Sequence, residues 1–168
     1  PIFLRRHPWV YSNAIDRFEG KVYPGSTVHV LSHDGKFLAK GLYSPSSQIR
    51  VRILTWDEAK VIDHAFFKGR ISKAIEHRVQ WVKDTNAIRL IFGESDGLPG
   101  LVVDQYADTL VCQFLFVGME HWKDAIVQAL VKQTNCKRII ERSDAARSEE
   151  HTSELQSHHD LVCRLLLE

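Results

Sequence analysis

Eight side chains in the first third of the chain have the types and spacing needed to contact RNA. Arg50 and Arg52 alternate with apolar residues along one expected strand, and Lys40 lies on the strand expected beside it. Guanidinium groups bind phosphate bidentately, and aromatic rings stack on unpaired bases. The alternative is a solvated basic face whose aromatic rings belong to the core. The candidate RNA-contacting set is Arg5, Arg6, His7, Trp9, Lys40, Tyr43, Arg50 and Arg52.

Charge is distributed unevenly, although the 168 residues carry a net charge of only +1. Residues 1–53 hold eight Lys or Arg against three Asp or Glu, a net charge of +5, whereas residues 54–146 hold twelve against thirteen, a net charge of −1. A basic module joined to a nearly neutral one is expected where the first module meets a polyanion. No apolar run is long enough to span a membrane, and no secretory signal is visible, so we expect a cytoplasmic protein.

The other reactive side chains are better explained by structural roles. Glu94 and Asp96 could act as a general acid and base, but they flank one serine beside a tight turn, where carboxylates commonly accept backbone N–H groups. We therefore interpret both as turn-holding residues. Cys112 falls in an alternating strand and Cys136 beside a helix end, as is typical of packed, reduced thiols. The histidines are scattered, and no two of them lie four residues apart on an expected helix, so we expect no metal site.

Residues 22–54 have the pattern of short strands separated by turns. Strands are predicted at residues 27–31, 37–43 and 49–54, with a hairpin turn at residues 33–36. In the last of these strands the isoleucines and valine are expected to face inward, and the arginines at positions 50 and 52 to face solvent. Several short strands in so short a segment predict a small β-barrel.

Residues 62–146 have the pattern of a small α/β domain. Asp63 is placed to cap a helix that continues to about Lys83. Strands are predicted at residues 88–92, 101–105, 110–116 and 138–142, and a second helix at residues 120–132. The apolar side chains of the first helix recur every three or four positions and are expected to be buried; they are Phe67, Ile71, Ala74, Ile75, Val79 and Val82.

Three motifs occur in a fixed order: LRRHPWVYS at residues 4–12, GLYSPSSQIR at residues 41–50, and the glycine-rich turn FGESDGLPGLVVD at residues 92–104. Glycine permits the positive φ values that such a turn requires. From about Pro1 to about Ala145, the chain resembles the PUA-containing, S-adenosylmethionine-dependent methyltransferases that modify C5 of a cytosine in large-subunit ribosomal RNA.

The resemblance implies a PUA-like, RNA-binding β-barrel over residues 1–55, a linker at residues 56–61 and an α/β (α+β) central domain over residues 62–146. It also implies ribosomal RNA as partner and S-adenosylmethionine as cofactor of the parent enzyme. In this family the catalytic cysteine and the cofactor loop lie in a downstream Rossmann-like domain, and neither motif occurs in this chain. We therefore expect the chain to bind or position RNA without catalysing methyl transfer, and to contain no catalytic or cofactor-binding residue. A stand-alone RNA-binding module and a protein-interaction module remain alternatives.

Residues 147–168 depart from this pattern. The segment RSEEHTSELQS at residues 147–157 is the translation of a widely used short-read sequencing adapter, and residues 158–168 resemble the rest of that oligonucleotide. We interpret residues 147–168 as a non-native tail and exclude them, with His158, His159 and Cys163, from any site. Because the chain opens on Pro1 without a methionine, we also expect that native sequence is missing before it.

Overall fold

The computed structural model describes residues 6–142 and the backbone of one further strand at residues 162–166. The strands and helices predicted from sequence are present, with small changes in their bounds. The first part contains β1 (Trp9–Tyr11), β2 (Thr27–Leu31), β3 (Phe37–Tyr43) and β4 (Ile49–Thr55). The second part contains α1 (His64–Trp81), β5 (Ala87–Phe92), β6 (Leu101–Tyr106), β7 (Thr109–Phe114), α2 (Val117–His121), α3 (Lys123–Gln133), β8 (Arg138–Arg142) and β9 (Val162–Leu166).

The first four strands form an open antiparallel sheet in the order β1-β4-β3-β2. Within residues 6–142 no pairing joins the edge strands β1 and β2, so the closed barrel expected from sequence is not observed. The connection between these strands begins with a 3₁₀ turn at Ser12–Ala14 and continues as irregular backbone to Pro24 and Gly25. This segment has no alternating apolar pattern, and proline cannot donate to a strand ladder, so it supplies no strand to close the sheet.

The second sheet has the strand order β5-β6-β7-β8-β9 and is antiparallel except for the β7–β8 pair. A parallel pair requires a crossover connection, which here contains α2 and α3. β9 falls within residues 147–168 and pairs antiparallel with β8. Backbone pairing at a sheet edge needs no particular side chains, so the origin of the tail stays a prediction.

The helices differ from the sequence prediction in two places. The expected helix at residues 120–132 is two helices, α2 and α3, which meet at Trp122. Val79 of α1 and Val82, which directly follows the helix, are 61% and 38% exposed, whereas they were expected in the core. The fully buried residues of α1 end at Ala74, because only the first three turns lie against the sheet core. No helix in the described residues is long and apolar enough to cross a membrane.

The first sheet packs against two separate apolar clusters, and it shares the larger one with the second sheet. Val10, Ala39, Val51 and Ile53 form a small cluster on one face of the first sheet. The opposite face contributes Leu42 and Leu54 to the larger cluster, which also contains the apolar side chains of the second sheet and the helices. The contact is close, because a Cβ atom added at Gly118 of α2 would lie 2.6 Å from Cβ of Leu42. β4 is therefore buried on both of its faces.

The N-terminus of α1 provides a test of the local structure. The Asp63 side chain accepts a hydrogen bond from the backbone N–H of Phe66 at 2.8 Å. We predict that Asp63→Ala lowers the free energy of unfolding by about 1 kcal/mol, because an N-terminal backbone donor loses its partner. Asp63→Asn retains a capping oxygen and should be nearly neutral. Denaturant unfolding measures both, and equal losses in the two variants would contradict the capping role.

Candidate nucleic-acid interface

The residues before and within β1 present polar and aromatic groups at the surface. Arg6 and His7 are exposed, and the backbone of Arg6 has a φ of 49°. The rings of His7 and Trp9 meet edge to face at a centroid distance of 5.4 Å. Nδ1 of His7 also accepts a hydrogen bond from the backbone N–H of Trp9 at 3.3 Å. Arg5, the other residue predicted here, lies outside the described residues.

Arg52 is inside the molecule, which corrects the outward orientation expected from the alternating pattern. It is only 3% exposed, whereas Arg50 is half-buried. The alternation itself is present, since Val51 and Ile53 belong to the small cluster on the other face of β4. The sheet face that carries Arg52 is covered by the second part of the chain, which the sequence pattern of a single strand cannot reveal.

The guanidinium of Arg52 lies between an acidic and an aromatic partner. Its Nη1 atom is 3.8 Å from Oε1 of Glu94, and its Cζ atom is 4.7 Å from the ring centroid of Phe116. The same Oε1 atom of Glu94 accepts a hydrogen bond from Nε1 of Trp9 at 2.8 Å. Glu94 therefore connects the glycine-rich turn to β1 and β4, and Arg52 gains both charge and ring contacts that offset its loss of hydration.

Lys40 and Tyr43 also have structural contacts. Nζ of Lys40 donates to the backbone carbonyl oxygens of Glu58 and Lys60 at 2.6 and 2.8 Å, and so holds the linker against β3. Tyr43 is half-buried, packs against the small cluster and meets Phe18 edge to face at 5.3 Å. The structure thus brings Arg6, His7, Trp9 and Arg50 to the β1–β4 side of the sheet, and gives Lys40, Tyr43 and Arg52 positions within the framework.

Sequence reasoning missed Arg70 of α1, which links the two parts of the chain. Its Nη2 atom donates to the carbonyl oxygen of Leu54 at 2.7 Å, and its Nη1 atom donates to that of Gly97 at 3.0 Å. Burial lowers the pKa of this guanidinium. The space at Gly97, where φ is 67°, is taken by Arg70, because a Cβ atom there would overlap its Nη1 atom. The sequence offered one signal for this role, which is the position of an arginine next to the apolar residues of α1.

The geometry supports the turn-holding interpretation for Asp96, whereas the Glu94 side chain contacts Trp9 and Arg52 of the first sheet, which corrects that interpretation for Glu94. Asp96 accepts hydrogen bonds from the backbone N–H of Phe92 at 2.6 Å and from Nη2 of Arg78 at 2.9 and 3.1 Å. Both oxygens of its carboxylate are therefore engaged, and Glu94 has the partners described above. A general acid or base needs a position from which it can reach a substrate proton, and these bonds direct both groups to the protein instead.

The cysteine of β7 is not a nucleophile in this fold. Cys112 is fully buried, and desolvation raises the pKa of its thiol to about 12, with smaller contributions from Cys136 and Glu141. A thiol with this pKa is protonated at neutral pH, and the thiolate is the reactive form. Among residues 6–142, no group of three or more His, Cys, Asp or Glu side chains could hold a metal ion.

Comparison with known proteins relates the first sheet to a PUA-like domain. Residues 2–56 match the family model of the PUA-like domain. The chain is 45% identical over 155 residues to the ribosomal RNA large subunit methyltransferase I of Citrobacter koseri, covering 90% of this chain and 39% of that protein. It is 48% identical over 143 residues to the protein of the same name from Shewanella denitrificans, covering 83% of this chain and 36% of that protein.

Solved structures show the same fold. The methyltransferase SMU.776, complexed with SAH, matches 84% of this chain with a TM-score of 0.74 and 17% sequence identity. A SAM-dependent methyltransferase from Streptococcus mutans matches the same share with a TM-score of 0.72. The chain spans about 37% of each of these structures and less than two fifths of the curated relatives. These comparisons confirm the resemblance to ribosomal RNA large subunit methyltransferases, whereas the modification of C5 of a cytosine stays a prediction.

The buried position of Arg52 can be tested against its neighbour Arg50. We predict that Arg52→Ala lowers the free energy of unfolding by about 2–4 kcal/mol, because the variant leaves a cavity and removes the cationic partner of Glu94. Arg50→Ala removes the same charge from the same strand and should cost less than about 1 kcal/mol. Denaturant unfolding with fluorescence and circular dichroism compares them. Equal losses would contradict the framework role of Arg52.

Proposed function

We propose that this chain, which is related over most of its length to ribosomal RNA large subunit methyltransferases, is the RNA-binding N-terminal portion of such an enzyme. The observation that carries the proposal is the coincidence of the PUA-like match at residues 2–56 with the basic part of the chain. We propose further that the parent enzyme acts in the cytoplasm and transfers a methyl group from S-adenosylmethionine to C5 of a ribosomal RNA cytosine.

The proposed phosphate contacts are Arg6 and Arg50, with His7 beside them. Within residues 6–142 neither arginine forms an ion pair, so both charges remain available to a polyanion. Trp9 is half-buried and can offer only part of its ring to a base. Lys40, Tyr43 and Arg52 then act on RNA only indirectly, by fixing the strands that carry the contacting residues. Arg5 belongs to the proposed contact set from its sequence position.

The glycine-rich turn lacks the form of a cofactor-binding loop. The glycine-rich turn follows strand β5 but leads into strand β6 instead of a helix, so it offers no helix N-terminus. The space beside two of its three glycines is already filled, at Gly97 by Arg70 and at Gly100 by the ring of Phe116, 2.5 Å from the position that a Cβ atom would take. We therefore propose that cofactor binding and catalysis belong to the remainder of the parent enzyme.

Binding to large-subunit ribosomal RNA tests the proposed contacts. We predict that Arg6→Ala combined with Arg50→Ala weakens binding at least severalfold, and reduces the slope of log K against log salt concentration by about 0.7 for each phosphate that is no longer neutralised. Arg17→Ala is the matched control, because this exposed arginine is already paired with Glu19 at 3.0 Å. Absence of RNA binding by the unaltered chain would contradict the proposed function. An equal effect of Arg17→Ala would contradict the assignment of the contact residues.

Catalysis by the chain alone tests the second half of the proposal. We predict no transfer of a labelled methyl group from S-adenosylmethionine to ribosomal RNA, because the glycine-rich turn offers no cofactor cradle and the thiol of Cys112 is buried. The control is a full-length relative incubated with the same RNA. Methylated product formed by this chain would contradict the non-catalytic role.

A further inference from the structure

The second sheet has two unlike faces. One face packs on the helices and contributes Leu101, Val103, Leu110, Cys112 and Phe114 to the large cluster. The residues that alternate with them point away from the helices and form what we call the outer face. Among the described residues, no helix packs on this outer face. Its members on the two central strands are Val102, Asp104, Tyr106, Thr109, Val111 and Gln113.

Three exposed planar groups lie along the β5–β6 edge of the outer face. Phe92 is 51% exposed, Tyr106 is 53% exposed, and the Arg89 side chain is 49% exposed. The Cζ atom of Arg89 lies 5.2 Å from the centroid of the Phe92 ring. Tyr106 is opposite Ala87 in the strand register, so Phe92 and Tyr106 lie at opposite ends of the pair, roughly 15 Å apart at the usual rise per residue. Arg89 lies between them.

The guanidinium of Arg89, the middle group in this row of Phe92, Arg89 and Tyr106, is held in one orientation. Nε and Nη2 of Arg89 donate to the two carboxylate oxygens of Asp104 at 2.7 and 3.0 Å. The hydrogen bond with Asp104 raises the pKa of Arg89, so the guanidinium remains charged. Two parallel bonds hold its plane in one orientation before any ligand arrives, which reduces the entropy lost on binding. The carboxylate is neutralised by the same contact and does not repel an anion.

The chemistry of this row favours unpaired RNA bases. Its exposed apolar area belongs to rings, whereas the aliphatic side chains beside them are more buried: Val102 is 9% exposed and Val111 is half-buried. Aromatic and guanidinium planes on a β-sheet face are a recurrent platform for stacking bases of single-stranded RNA. Arg138 on β8 is 65% exposed, but its charge is balanced by Asp108, whose Oδ1 atom lies 3.9 Å from Nη2 of Arg138.

We propose that the outer face of the second sheet is a second RNA-binding surface, on which Phe92, Arg89 and Tyr106 stack two or three unpaired bases. This inference rests on the proposed function and adds a surface to it that lies outside the PUA-like domain. The surface proposed above, formed by Arg6 and Arg50 with His7 beside them, binds RNA chiefly through charge. The outer face selects unpaired nucleotides, because a base inside a duplex has no free face for the rings. The two surfaces together favour a duplex that adjoins a single-stranded segment.

Fluorescence of a single-stranded RNA containing 2-aminopurine tests this surface, because stacking quenches that base. We expect binding by the unaltered chain to quench the signal. Phe92→Leu combined with Tyr106→Leu should abolish the quenching and weaken affinity at least about fivefold, the lower end for loss of base–aromatic stacking. The salt dependence should change little, since no charge is removed. Arg89→Lys keeps the charge but loses the plane, and should also reduce the quenching.

Trp81→Leu is the matched control, because Trp81 is 76% exposed at the end of α1 and lies off the sheet. It should leave quenching and affinity unchanged, and denaturant unfolding should show that every variant is folded. If the unaltered chain fails to bind RNA, the proposed function fails and this inference with it. If the chain binds but the double variant binds and quenches equally well, only the outer-face surface is overturned. An equal loss in Trp81→Leu would also overturn it.

Discussion

A buried arginine must keep a partner, and much of the structure is arranged around that requirement for Arg52. Removing a guanidinium from water costs several kcal/mol unless charge and ring contacts replace its hydration. Glu94 and the ring of Phe116 supply those contacts from the second part of the chain. The glycine-rich turn holds Glu94 in place, and Trp9 donates to the same carboxylate. The stability of β4, which carries Arg52, therefore depends on the second part of the chain.

This dependence determines which charged side chains of the first sheet reach the surface. The face of the first sheet that carries Arg52 is occupied by α2 and the glycine-rich turn, so its arginines are not a continuous basic surface. The charges that remain available lie near β1 and at the start of β4. Arg70 adds a second connection by donating to carbonyl groups of both β4 and the turn. These contacts fix the first sheet against the second part of the chain.

Local patterns predicted the elements well and the contacts between distant elements poorly. Alternation identified β2, β3 and β4, and Asp63 identified the start of α1, because strand pairing and capping depend on neighbours in sequence. The turn-holding role of Asp96 followed from its place beside glycines, whereas the contacts of Glu94 with Trp9 and Arg52 did not. The burial of Arg52 and the role of Arg70 did not, since each depends on residues that are distant along the chain. The open first sheet was missed because strand count alone does not determine whether a sheet closes.

The most direct test of the account is to crosslink this chain to large-subunit ribosomal RNA with ultraviolet light and to identify the attached peptides by mass spectrometry. The account predicts crosslinks in the segment from Arg6 to Tyr11 and on the outer face at Phe92 or Tyr106. It predicts none on α3, whose residues face the helical side of the second sheet. Crosslinks confined to α3, or a complete absence of crosslinks under conditions where a full-length relative reacts, would contradict it.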